Sequence, residues 1–138
     1  MLERLIITLI IVIAAAALWR WYTARQLRRA TSAGRNDPLL AGTRHGVSTI
    51  LYFTTPSCAP CQTVQTPALR RLEEMLGDHV QIVRVDATEM PEDARRWGVL
   101  SVPTTFVLNP EGKAVAVNHG VAHTETLLRQ ITSDRQPA

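Results

Sequence analysis

The chain holds two cysteines, Cys58 and Cys61, within TTPSCAPCQTVQTP (residues 54–67). Two thiols separated by Ala59 and Pro60 could form and exchange one disulfide. They are too few for a disulfide framework or a closed four-cysteine zinc site. The preceding run, VSTILYFTT, is rich in β-branched and aromatic residues and predicts a buried strand. From Cys58 onward the period changes. Cys61, Val64, Ala68, Leu72 and Met75 recur at three- and four-residue intervals, which predicts a helical face. Cys58 then stands at the mouth of a helix, where free N–H groups and the helix dipole favour a thiolate. In this reading Cys58 is the nucleophile, and Cys61, one turn later, resolves the mixed disulfide. Pro60 fixes φ in the turn between them. Two other readings stay open: a pair of inert buried cysteines, or part of a metal site. The four histidines, His45, His79, His119 and His123, have no paired spacing. No metal or other cofactor is expected.

Further elements must position this pair. Pro67 lies inside the helix after Cys61 and should kink it, having no N–H to bond back to residue 63. Gly77 closes that helix. VQIVRVD predicts a second strand. MPEDARRWG predicts a helix, with proline and acids in its first turn, arginines in its last and Gly98 beyond. TTFVL and KAVAVNHG read as a hairpin joined by NPEG, and AHTETLLRQI as a final helix. The order is strand, helix, strand, helix, strand, strand, helix. The first strands alternate with helices and should pair in parallel, with the hairpin adding an antiparallel edge.

The N-terminus has a different character. Leu5 to Trp19 carries no charge, and Trp21 and Tyr22 follow Arg20. As one helix, residues 5–22 would rise about 27 Å, close to the ~30 Å hydrocarbon core of a bilayer. Trp19, Trp21 and Tyr22 suit an interfacial belt, and Arg20 can snorkel. A cleaved signal peptide is the competing reading, with small residues at Ala14–Ala17. Residues 1–36 carry six arginines against Glu3, a net +5, while residues 37–138 carry 9 basic and 11 acidic residues. The body therefore has no basic face for nucleic acid. The arginine excess after the apolar run predicts a cytoplasmic body on a single-pass anchor. The chain divides into an anchor (1–22), a basic juxtamembrane linker (23–36) that is helical at 23–29, and a domain (37–138).

Over about residues 47–133 the sequence resembles the thioredoxin family. The likeness rests on SCAPC after a strand, VRVD ending the next strand, WGVLSVPT, NPEGKAV, then Gly120 and a last helix. It implies a thioredoxin-like α/β fold: a central mixed sheet flanked by helices. It also implies that Pro103 is cis and faces the cysteines, and that Val102 offers its backbone to an extended substrate segment. Several positions depart from the family pattern. Ser57 replaces the usual tryptophan, and Ala59–Pro60 the usual glycine–proline. Tyr52 stands where a buried aspartate commonly helps deprotonate the second cysteine, and Ile82 where a lysine often stands. The family's first strand and helix are largely missing, so the fold is trimmed at its N-terminal end.

Together these features predict a membrane-anchored thiol–disulfide oxidoreductase that reduces protein disulfides and is served by an upstream reductase. A monomer is expected. The alternatives are an extracytoplasmic reductase or oxidant for exported or cytochrome-maturation proteins, and a non-enzymatic module that binds a partner or carries a metal.

Overall fold

β1 (Ser48–Thr54) is buried along nearly its whole length and forms the centre of the structure. The computed structural model describes residues 1–135, and the side chains of all of these but 31, 33 and 35. β1 is flanked by β2 (Val80–Asp86) on one side and by β3 (Thr104–Leu108) on the other, with β4 (Ala114–His119) at the edge beyond β3. A strand covered on both faces reads as a near-continuous apolar run, here Ile50–Phe53 between Thr49 and Thr54.

β1 and β2 are parallel, but β3 runs antiparallel to both β1 and β4. Parallel pairing of the first strands therefore extends only to β1 and β2. The cause lies in α3 (Pro91–Arg96). Its six residues rise about 9 Å, whereas a seven-residue strand spans about 23 Å. So short a helix does not by itself carry the chain back along the sheet. β3 instead starts beside the end of β1, with Thr104 opposite Phe53, and runs back.

Alternate residues of β1 feed two separate cores. Ile50 and Tyr52 pack with Cys61, Leu69, Leu72, Leu127 and Ile131 beneath α2 (Thr66–Leu76) and α4 (Thr124–Asp134). Leu51 and Phe53 pack with Trp97, Phe106 and Leu108 on the opposite face. That second face is covered by the last turns of α1 (Leu2–Ala33), one uninterrupted helix of 32 residues. Gln26 and Ala30 are buried, and Tyr22, Thr23 and Leu27 are partly buried. These positions recur at three- and four-residue intervals and form one seam. The stretch read as a linker is thus helical through residue 33, and its inner side belongs to the fold. The Gln26 amide donates to the carbonyl of Gly98 at 2.8 Å. Gly98 has φ +71, a conformation that side-chain-bearing residues rarely adopt, and a Cβ there would only touch Gln26 at 3.5 Å. At the end of β4, His119 meets Trp19 and Tyr22, and its burial pushes the imidazole below its ordinary value.

One buried carboxylate joins the domain's first turn to α3. Asp37 caps the turn at Pro38–Leu40 by accepting from the Leu39 N–H at 2.9 Å. It also accepts from Arg96 Nε and Nη2 at 2.9 and 3.0 Å and from Trp97 Nε1 at 3.1 Å. Arg96 further pairs with Asp93. Burial alone would raise the Asp37 carboxyl. The bonds from Arg96, Leu39 and Trp97 outweigh it and hold the group below its ordinary value of 3.8. Its stabilisation is therefore complete above that value and is lost as pH falls through it and lower. Asp37→Asn keeps the size but removes the charge and should cost roughly 2–3 kcal/mol at neutral pH. Denaturant midpoints should show the gap between wild type and variant narrowing in acid.

Candidate active site

The catalytic candidates gather at the end of the sheet where β1 stops. Thr54 closes the strand, and Cys58 N donates to the Thr55 carbonyl at 3.2 Å in the turn that follows. Cys58 and Cys61 are joined by a disulfide, with their Cα atoms 5.2 Å apart. The Cys61 N–H points at Cys58 Sγ at 3.2 Å. The two sulfurs are not equivalent. Cys58 is partly exposed, whereas Cys61 is fully buried among Ile50, Tyr52 and Leu69. Ala59 and Pro60 are exposed between them.

Pro67 shapes the helix that follows. It cannot donate to the carbonyl of Thr63, and the chain answers with a π-helical turn at Cys61–Gln65 before α2 begins. In that wide turn the Thr66 N–H reaches back to the Cys61 carbonyl. The same carbonyl accepts from the Tyr52 hydroxyl at 3.2 Å. The polar atom of Tyr52 thus addresses the backbone of Cys61 and not its sulfur.

Val102 packs against the cluster that contains both cysteines, and the Val102–Pro103 peptide is cis. Pro103 is buried, and its carbonyl accepts from the Gly120 N–H at 2.8 Å. Thr104, next in the chain, pairs with both Phe53 and His119. Cys58, Cys61, Val102 and Pro103 therefore meet at one end of the sheet. Leu100, two residues before Val102, is 81% exposed.

Gln65 supports the site without having drawn notice in the sequence. It is fully buried beneath the π-turn and forms a two-way clasp with Ala122, donating to its carbonyl at 3.0 Å and accepting from its N–H at 2.8 Å. The clasp ties the cysteine-bearing helix to the lead-in of α4. Its one sequence signal is position: Gln65 lies four residues after Cys61 and four before Leu69, on the inner seam. Asp86 is held in its own loop by Thr88, whose N–H and hydroxyl it accepts at 2.8 and 2.6 Å. Those bonds lower its pKa and leave it a turn residue. Among the described residues no three His, Cys, Asp or Glu side chains cluster at metal-binding distance.

The thioredoxin family model matches residues 43–133. The chain is 37% identical to thioredoxin of Bacillus subtilis over 87 residues, covering 63% of this chain and 81% of that protein. It is 31% identical to the chloroplastic thioredoxin Y of Oryza sativa over 120 residues, or 87% of this chain and 69% of that one. Among solved structures, Fasciola hepatica thioredoxin superposes with a TM-score of 0.55 at 26% identity, over 62% of this chain and 83% of its own. α1 and Asp37 lie outside the matched region.

Removing only the Tyr52 hydroxyl tests its place in the site. Tyr52→Phe should cost about 1 kcal/mol, because the Cys61 carbonyl keeps its bond from Thr66. Closure of the Cys58–Cys61 bridge, followed by stopped flow, should keep its rate. A slowed closure would give the phenol a part in the chemistry.

Proposed function

Because the chain belongs to the thioredoxin family and is a thiol–disulfide oxidoreductase, we propose that it reduces protein disulfides through Cys58 and Cys61 while anchored in a membrane by α1. The observation that carries the roles is the unequal burial of the two sulfurs. In the reduced protein the Cys58 thiolate attacks one sulfur of a substrate disulfide and expels the other as a thiolate. Cys61 then loses its proton and attacks Cys58 Sγ, releasing the second substrate sulfur. Two electrons pass to the substrate, and the protein is left with the disulfide seen here. An upstream reductase must return it to the dithiol. Val102, beside the cysteines, offers its backbone to the substrate segment, and cis-Pro103 shapes that surface.

The anchor reading is supported by Leu2–Ala30, whose most apolar window has a mean hydropathy of 2.2 and is wholly unburied by the rest of the protein. Residues 1–22 are the anchor, residues 23–36 carry the juxtamembrane arginines, and residues 37–138 form the catalytic domain. The arginines following the span favour a cytoplasmic domain.

Two experiments test this function. Cys61→Ser should accumulate mixed disulfides visible on non-reducing gels, and Cys58→Ser should accumulate none. Equal trapping by both variants would reverse or abolish the assignment. For topology, a membrane-impermeant thiol reagent added to intact, reduced cells should leave Cys58 unlabelled until lysis. Labelling before lysis would put the domain on the other side.

A further inference from the structure

α1 fixes how the catalytic end of the sheet is turned. It runs antiparallel to β4. At one end of their contact, Trp19 and Tyr22 lie against His119 with ring centroids 5.7 and 6.1 Å apart. At the other end, Ala24, Leu27 and Ser32 share a groove with Lys113 and Ala114, where β4 begins. Between these points Gln26 bonds to Gly98 and Ala30 is buried. No break in the helix separates the apolar run from this docked portion.

The strand end that meets Trp19 and Tyr22 is the catalytic end. His119 pairs with Thr104, and Thr104 with Phe53. The next residue outward on each of these strands is Gly120, Pro103 or Thr54, and Thr54 leads to Cys58. Gly120 and Pro103 are themselves hydrogen-bonded at 2.8 Å. Aromatic residues at the end of an apolar span sit at the headgroup level. The redox edge is thus turned back toward the bilayer, while the β3–β4 turn around Glu111 points away from it.

A second observation agrees. Beyond α1, the exposed large hydrophobic residues among those described are Val64, Met75, Met90 and Leu100. Three of them lie at the catalytic end. Val64 is in the π-turn after Cys61, Met90 precedes α3, and Leu100 leads into Val102. Asp86 and Glu89 share that end, so its affinity for a bilayer surface is apolar and not that of a basic patch.

We infer that the Cys58–Cys61 edge faces the membrane from which α1 emerges, and that its substrates are disulfides carried by membrane proteins at headgroup level. This rests on the anchored-reductase reading above.

The test uses the full chain in nanodiscs of phosphatidylcholine and phosphatidylglycerol. A photo-crosslinking amino acid replaces Leu100 in one sample and Glu111 in another, and lipid adducts are counted by mass spectrometry. Adducts should be several-fold more abundant at 100 than at 111; equal or reversed yields would overturn the orientation. A disulfide peptide is then presented in three forms: free, on a lipid with a short linker, and on a lipid with a long one. Effective concentration collapses when a linker cannot span the gap. A site facing the bilayer should reduce the short-linked peptide at least as fast as the long-linked one. Reduction of the free and long-linked peptides alone would overturn the inference and leave the reductase function standing. Failure to reduce even the free peptide would remove that function and the inference with it.

Discussion

A sheet with two apolar faces must be covered twice, and the rest of this structure follows from that requirement. α2 and α4 cover one face with an amphipathic seam each. The matched region carries only α3, six residues long, for the other. The deficit is met from outside that region. α1 lays Gln26 and Ala30 on the open face, and the turn at Pro38–Leu40 adds Leu40. Asp37 then ties that turn to Arg96 and Trp97. The indole it grips is among the largest fully buried side chains in the protein.

The site inherits its geometry from this sheet. Antiparallel pairing of β1 with β3 brings the end of one strand beside the start of the other, so Cys58 and Pro103 meet although they lie far apart in the chain. Around Cys61 the supports are backbone-directed. Tyr52 holds its carbonyl, and Gln65 secures the helix through Ala122. The groups that align the sulfur-bearing turn are therefore neutral.

Much of this was legible from residue order alone. The four strands and three helices of the domain were readable from period and punctuation, because each is a local pattern with marked ends. Gly77 and Gly98 take positive φ where they were expected to end helices. The direction of β3 was not legible, since it depends on a length comparison between α3 and the sheet. Nor was the docking of α1, whose inner seam of Tyr22, Thr23, Gln26, Leu27 and Ala30 interleaves polar with apolar residues and so lacks the clean period that marks a buried face. The polar residues that matter most, Asp37, Gln65 and His119, find their partners across the fold. No spacing rule reveals such pairs. At the site, Cys58 and Cys61 stood out by type and spacing, Val102 and Pro103 only through resemblance. The target of the Tyr52 hydroxyl could be seen only once the π-turn had placed the Cys61 carbonyl.

The docking of α1 also sets an order of events in biosynthesis. Gln26 meets Gly98 across 72 residues of sequence, and Trp19 meets His119 across a still longer interval. Chains grow at roughly 5–20 residues per second, with N-terminal parts available first. α1 therefore exists for several seconds before the sheet it must cover. In that interval its inner seam has no partner. That seam mixes Thr23, Gln26 and Ala30 with Tyr22 and Leu27. The late contact joins the Gln26–Gly98 hydrogen bond, the His119 ring contacts and the packing of Leu27 and Ala30, and nascent-chain crosslinking from Gln26 would time it.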